Sequence, residues 1–266
     1  MKKSKLAPPA LSYSIFSFFS KLTGFLRDIF LASFLGASFM ADIFFIALRL
    51  PNSFRRSFSE ETFNPAYIPI HGKYADQEDK SLQYEFTKKI LFSFLIPVIL
   101  FIIVVEIFMP EILYFFMLSQ ENQIQQDMLI SVSRIIFPYL LVIIISAIFS
   151  GNLNANKKFS LSAGISSILN IAIIISIAVH SFINVEKIFY LAWTVIIAGI
   201  LQVLILLYSI NADFWKVFLR YDSRKTKIKE FFSLYWPTFI SSSLFQANLI
   251  IGMLICSFET GAVAYL

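Results

Sequence analysis

What this sequence lacks narrows its function first. It has a single cysteine, Cys256, so it holds neither a disulfide framework nor a thiolate metal cluster. Cys256 lies in an apolar run and reads as a small core residue. There are only two histidines, His71 and His180, too few for a histidine-based metal site. No P-loop pattern is present, which argues against ATP hydrolysis. No D-x-D or D-D pair stands in the polar stretches apart from 76-DQED-79, which reads as a solvated turn. A metal-dependent transferase or a catalytic carboxylate pair is therefore not expected. The chain is expected to be no enzyme, and to use no cofactor and no metal.

Charge is scarce too. Only 15% of the 266 residues are charged, while 58% are hydrophobic and 31 are Phe. Mean hydropathy is +0.74. A soluble domain of this length needs more polar surface, so an integral membrane protein is expected. The opening MKKSKLAPPA is basic, but the segment after it holds Lys21, Arg27 and Asp28 and lacks a small-residue cleavage site. It reads as a retained first span and not as a signal peptide.

A helix needs about 20 mostly apolar residues to cross the hydrocarbon. Seven stretches qualify: about 10–35, 39–66, 87–110, 130–153, 159–182, 186–210 and 230–257, and 261-GAVAYL-266 looks like the start of an eighth. Pro51 is expected to break or kink the second, because proline removes a backbone donor. The loops between the spans alternate in charge. Seventeen of the 22 lysines and arginines fall in one alternating set, and only Lys187 falls in the other. Cytoplasmic loops carry the Lys/Arg excess, which predicts a cytoplasmic amino terminus. The acidic loop 111-EILYFFMLSQENQIQQD-127, on the outer side, agrees. The net charge of +5 thus needs no nucleic acid to explain it.

Four basic residues belong to neither set and lie within the proposed spans: Lys21, Arg27, Arg49 and Arg134. A charge in hydrocarbon costs roughly 2.5–3.5 kcal/mol on insertion scales, so such residues face a bundle interior or a wet cavity. Residues seven apart differ by about 20° around a helix. Asp42, Arg49 and Arg56 are spaced by seven, as are Lys21 and Asp28, and Ser20 and Arg27. Gly24, between them, allows close approach of another backbone or a ligand. Two charged stripes on successive spans suggest a polar cavity between them. The competing expectation is an internal ion pair of Arg27 or Lys21 with Asp42. Asp28 and Asp42 do not neutralise Lys21, Arg27, Arg49, Arg55 and Arg56, so a surplus of positive charge points to an anionic ligand. Arginine suits phosphate because its planar fork donates two hydrogen bonds at once. Arg134 can instead snorkel to the outer interface.

The ordered set Ser20, Gly24, Arg27-Asp28, Gly36-Ala37, Ala41-Asp42, 49-RLPN-52, Arg55-Arg56, Glu60, Phe63 and Pro69 resembles the MurJ/MviN family of lipid II flippases. That family stands within the larger superfamily of multidrug, oligosaccharidyl-lipid and polysaccharide exporters. Weaker matches follow in 137-FPYLL-141, Asn152, Asn154, 158-KFSLSA-163 and Asn170. The resemblance implies an all-α, polytopic membrane helix bundle in the bacterial cytoplasmic membrane. It would hold the first six-helix lobe of a two-lobe flippase (1–211), a cytoplasmic basic linker (212–229) and the start of a second lobe (230–266). The implied activity is flipping of undecaprenyl-diphosphate-linked disaccharide pentapeptide from the inner to the outer leaflet for cell-wall synthesis. Alternating access is the implied mechanism. The implied substrate-binding residues are Lys21, Arg27, Asp42, Arg49, Asn52, Arg55, Arg56 and Glu60, with Pro51-Asn52 opening the helix toward the lumen.

Two positions depart from the family pattern. Lys21 stands where arginine is usual and keeps charge without the fork, and Glu61 stands where glycine is usual. The chain also stops after 262-AVAYL-266, before a family motif with a further cavity arginine. A fragment, a split gene with a separate chain supplying the second lobe, and an inactive remnant are the readings of that length. An exporter of another polyprenyl-linked glycan is the alternative substrate reading. A cation exporter would want an acidic cavity, and this one is basic. Membrane lipids are the remaining expected partners.

Overall fold

A computed structural model describes residues 7–58, 60–75, 80–117, 122–182, 185–210, 212–219 and 226–256. The 76–79 turn and the 261–266 segment lie outside the described residues. Every regular element among those described is helical: α1 (Ala7–Leu35), α2 (Phe39–Phe58), α3 (Glu60–Ala75), α4 (Lys80–Ile107), α5 (Met109–Met117) and α6 (Gln123–Ile136). Then come α7 (Tyr139–Ala155), α8 (Phe159–Val179) with a 3-10 turn at His180–Phe182, α9 (Lys187–Ser209), α10 (Ala212–Phe218) and α11 (Ile228–Cys256). Four of these segments are long and apolar enough to cross a membrane: Lys80–Ile107, Gln123–Ala155, Phe159–Phe182 and Lys187–Ser209. The charge-bearing α1 and α2 are not among the four.

Local chemistry sets the helix ends. Gly36 takes φ +66° after α1 and donates its N–H to the Ala32 carbonyl at 3.0 Å, a left-handed cap that glycine adopts without a Cβ penalty. Asp42 then stands in the first turn of α2, where the positive end of the helix favours an acid. The Asn122 side chain accepts from the Ile124 N–H at 3.2 Å and caps α6.

The sequence expectation misplaces two breaks. Of the break or kink expected at Pro51, the break does not occur; α2 runs through it to Phe58. Asn52 Nδ2 donates to the Leu48 carbonyl at 2.9 Å and Ser53 Oγ to the Arg49 carbonyl at 2.8 Å, which supports the backbone around the proline. The separate helix α3 then continues to Ala75, beyond the predicted end at 66. The fourth span, predicted as one helix, divides at Phe137-Pro138 into α6 and α7, because a proline at the start of α7 has no N–H to give to the α6 ladder. The predicted outer loop contains α5, and the predicted linker contains α10, whose Phe214 is buried against Tyr84 and Phe149 (ring centroids 5.8 and 6.1 Å).

Two buried clusters hold the bundle. Aromatic rings join α3, α4 and α11: Phe63 meets Phe231 at 5.5 Å, and Phe94 meets Tyr235 edge-on at 5.1 Å. A polar chain joins α3, α4 and α7. Asn152 Nδ2 donates to the Tyr67 hydroxyl (3.2 Å), which pairs with Thr87 Oγ1 (2.5 Å), which donates to the Gln83 carbonyl (2.9 Å). Buried polar groups partnered in this way fix one packing of the helices. A further set ties α7, α9 and α8, with Tyr139 donating to Gln202 Oε1 at 3.1 Å and Gln202 Nε2 to the Ile165 carbonyl at 3.1 Å.

His71 on α3 is 2% exposed and lies against Tyr67, with ring centroids 5.3 Å apart. Burial lowers its pKa to about 4. The unfolded chain takes up this proton near pH 6.5, and the folded chain only near pH 4. Stability is therefore lost as pH falls from about 6.5 toward 4, by roughly 2 kcal/mol at pH 5. Thermal unfolding in detergent at pH 7.5 and pH 5 checks this. The drop on acidification should shrink in His71→Phe, and an equal drop in both proteins would contradict it.

Candidate functional site

The residues singled out by sequence divide over two faces. Along α1, Ser20, Thr23, Gly24 and Arg27 turn toward α8, while Lys21 is exposed. The main neighbour of α1 is α8, and it touches α2 only slightly. The small residues of α1 admit an asparagine from α8: a Cβ on Gly24 would sit 3.4 Å from Asn170 Nδ2, and that nitrogen reaches the Ser20 carbonyl (3.2 Å) and Thr23 Oγ1 (3.3 Å).

Arg27 is the centre of this face. Its Nε and Nη2 donate to Asp28 Oδ1 at 2.9 and 2.7 Å, and its Nη1 donates to Asn170 Oδ1 at 3.0 Å. Its side chain is 23% exposed and that of Asp28 is 57% exposed. Neither Arg27 nor Lys21 pairs with Asp42 among the described residues; Arg27 turns its guanidinium to α8 and Lys21 is exposed. Three of the five guanidinium N–H groups are used in these bonds. The remaining two can meet an anion without dismantling the site.

On α2, Asp42 is buried and Arg49 is half-buried. Asn52 is half-buried with its amide nitrogen bonded to its own helix. Arg55 and Arg56 lie in the last turn of α2 and Glu60 opens α3; their side chains lie outside the described residues.

Two features had only faint sequence signals. Asn170 carries three of the contacts on the α1–α8 face, and its sequence signals were an amide inside 168-ILNIAIIISI-177 and a weak match to the family pattern. Arg134, exposed in the last turn of α6, acts electrostatically on the half-buried Glu106 of α4. It therefore has an acidic neighbour as well as access to the surface. The signal was an acid and a base each isolated at the end of an apolar run.

Comparison with known proteins follows the same lines. The family model described as lipid II flippase MurJ matches residues 31–266. A probable lipid II flippase MurJ of Rhizobium tropici is 30% identical over 253 residues, which covers 93% of this chain and 47% of that protein. A second, from Buchnera aphidicola subsp. Acyrthosiphon pisum, is 32% identical and covers 98% of this chain and 52% of that protein. A solved structure of the lipid II flippase MurJ in an inward closed conformation aligns with a TM-score of 0.76 at 26% identity, over 95% of this chain and 52% of that one. The chain spans about half the length of the curated relatives it matches.

Proposed function

The chain belongs to the MurJ family of lipid II flippases, and we propose that it forms the first, cavity-bearing half of such a flippase. On this reading it is a transporter and not an enzyme. Its substrate is undecaprenyl-diphosphate-linked disaccharide pentapeptide, carried from the inner to the outer leaflet of the cytoplasmic membrane by alternating access. The observation that carries the reading is Arg27, a cation fixed on the α1–α8 face by Asp28 and Asn170 with two N–H groups to spare. A diphosphate headgroup is what such a group recognises, since guanidinium and phosphate oxygens match in geometry as well as charge. The exposed Lys21 adds a point charge about 1.7 turns earlier on α1. Asp42, Arg49, Asn52, Arg55, Arg56 and Glu60 supply the α2–α3 side of the same cavity.

The amino terminus is cytoplasmic in this proposal, as the positive-inside pattern requires. Residues 1–211 form the first lobe, 212–229 link it, and 230–266 begin the second. A separate chain or a longer product supplies the rest of the second lobe.

The test uses a chimera in which residues 1–266 continue into the second half of the Buchnera aphidicola relative, in cells depleted of their own flippase. The chimera should restore growth. Replacing Arg55 and Arg56 together with alanine should abolish rescue while membrane insertion persists. Retained rescue by that double variant would remove both arginines from the cavity.

A further inference from the structure

We propose that the outer seam between α1 and α8 is a binding site for one anionic glycerophospholipid of the leaflet facing the α7–α8 turn. The inference rests on the membrane placement of the bundle and is independent of what the protein transports.

A groove of about 360 Å³ runs along this seam, lined mainly by Phe16, Phe19, Leu161, Gly164, Ile165 and Ile168. Gly164 gives the groove its depth: a Cβ there would lie 3.1 Å from the Phe16 ring. The two serines in the lining spend their hydroxyls inside the protein. Ser160 Oγ donates to Ser12 Oγ at 2.9 Å, and Ser167 Oγ donates to the Gly164 carbonyl. The groove therefore offers hydrocarbon and no free hydroxyl to its occupant. Phe16 and Phe19 stay 44% and 46% exposed, so the groove is open along one side.

Charge selects the occupant. Lys157 and Lys158 form the turn into α8, both exposed, and neither makes an ion pair among the described residues. Lys157 holds φ +62°, and the Lys158 N–H is tied to the Leu153 carbonyl at 2.8 Å, so the backbone that presents the two ammonium groups is set. No acidic side chain stands in the first turn of α8. Ser160 and Leu161, at the mouth of the groove, follow Lys158 within one helical turn, roughly 3–5 Å along the axis. A cationic pair at headgroup level beside an apolar trough fits a phosphate joined to an acyl chain. Lysines near a membrane surface favour anionic lipid by roughly five-fold each.

Native mass spectrometry on the purified chain, released from nanodiscs holding equal phosphatidylglycerol and phosphatidylcholine, tests the site. The expected result is retention of one phosphatidylglycerol in preference to phosphatidylcholine. Lys157→Gln with Lys158→Gln, both on the surface and without bearing on the core, should cut that preference by roughly ten-fold or more. Gly164→Leu, which fills the groove and leaves the lysines, should lower retention of both lipids. Equal retention of the two lipids by the wild type, or an unchanged preference in the double lysine variant, overturns the proposal. So does displacement of phosphatidylglycerol by equimolar undecaprenyl phosphate, which would make the seam a prenyl site.

Discussion

Arg27→Ala in the chimera is expected to abolish rescue of flippase-depleted cells and to lower affinity for a diphosphate-linked lipid by about 100-fold or more. Each charge-assisted hydrogen bond contributes about 1.5–3 kcal/mol, and the arginine has two N–H groups free for phosphate beyond those given to Asp28 and Asn170. Two such bonds correspond to two or more factors of ten in binding. The substitution also strips Asp28 of its cation and leaves an acid on the same face, which repels the headgroup. Arg27→Lys keeps the charge but not the fork, so a loss of about ten-fold is expected. Asn170→Ala is expected to cost less than Arg27→Lys, because it frees the guanidinium to rotate while leaving both its charge and its fork in place. Binding of the lipid to purified variants, alongside insertion level and growth, separates these outcomes. Equal affinity in wild type and Arg27→Ala would remove the residue from the substrate path.

Gly151→Ala and Gly199→Ala are expected to destabilise the bundle by about 1–3 kcal/mol each, and the valine variants by more. A Cβ on Gly151 would lie 2.7 and 2.9 Å from two carbons of the Phe63 ring and 3.0 Å from Asn64 Oδ1. That ring cannot swing aside, since it is 1% exposed and packed on Tyr67 and Phe231. A Cβ on Gly199 would lie 2.8 Å from two carbons of Tyr139, whose hydroxyl is committed to Gln202. Gly72 is the control. Its Cβ would meet nothing within 4 Å, so Gly72→Ala should gain about 0.5–1 kcal/mol by favouring helix. Detergent melting curves read all three. A stable Gly151→Val protein would mean that α3 and α7 do not pack this closely.

Much of this was legible in one dimension. The length and hydropathy of the apolar runs mark the helices at Lys80–Ile107, Phe159–Phe182 and Lys187–Ser209 because both quantities are local. The unusual value of Arg27 was legible for the same reason, as a charge in an apolar run. Its partner was not. Asn170 stands 143 residues away, and α1 chooses α8 over α2 through the fit of Thr23 and Gly24 to that one amide. No periodicity encodes such a fit. Pro51 misleads for a related reason: proline forbids one hydrogen bond, but the neighbouring Asn52 and Ser53 side chains and the burial of Pro51 itself keep the helix running. Pro138 does break a helix, so proline alone does not decide the matter and its surroundings do.

The most direct test of the central claim is competition binding on the purified chimera. Its affinity for the diphosphate-linked disaccharide pentapeptide is compared with that for the matching monophosphate lipid, in wild type and in Arg27→Gln. A clear preference for the diphosphate is expected in the wild type, reduced at least ten-fold in Arg27→Gln, with phosphatidylglycerol unable to compete. Equal binding of the two lipids, or a preference that survives loss of the Arg27 charge, would contradict a diphosphate site on the α1–α8 face.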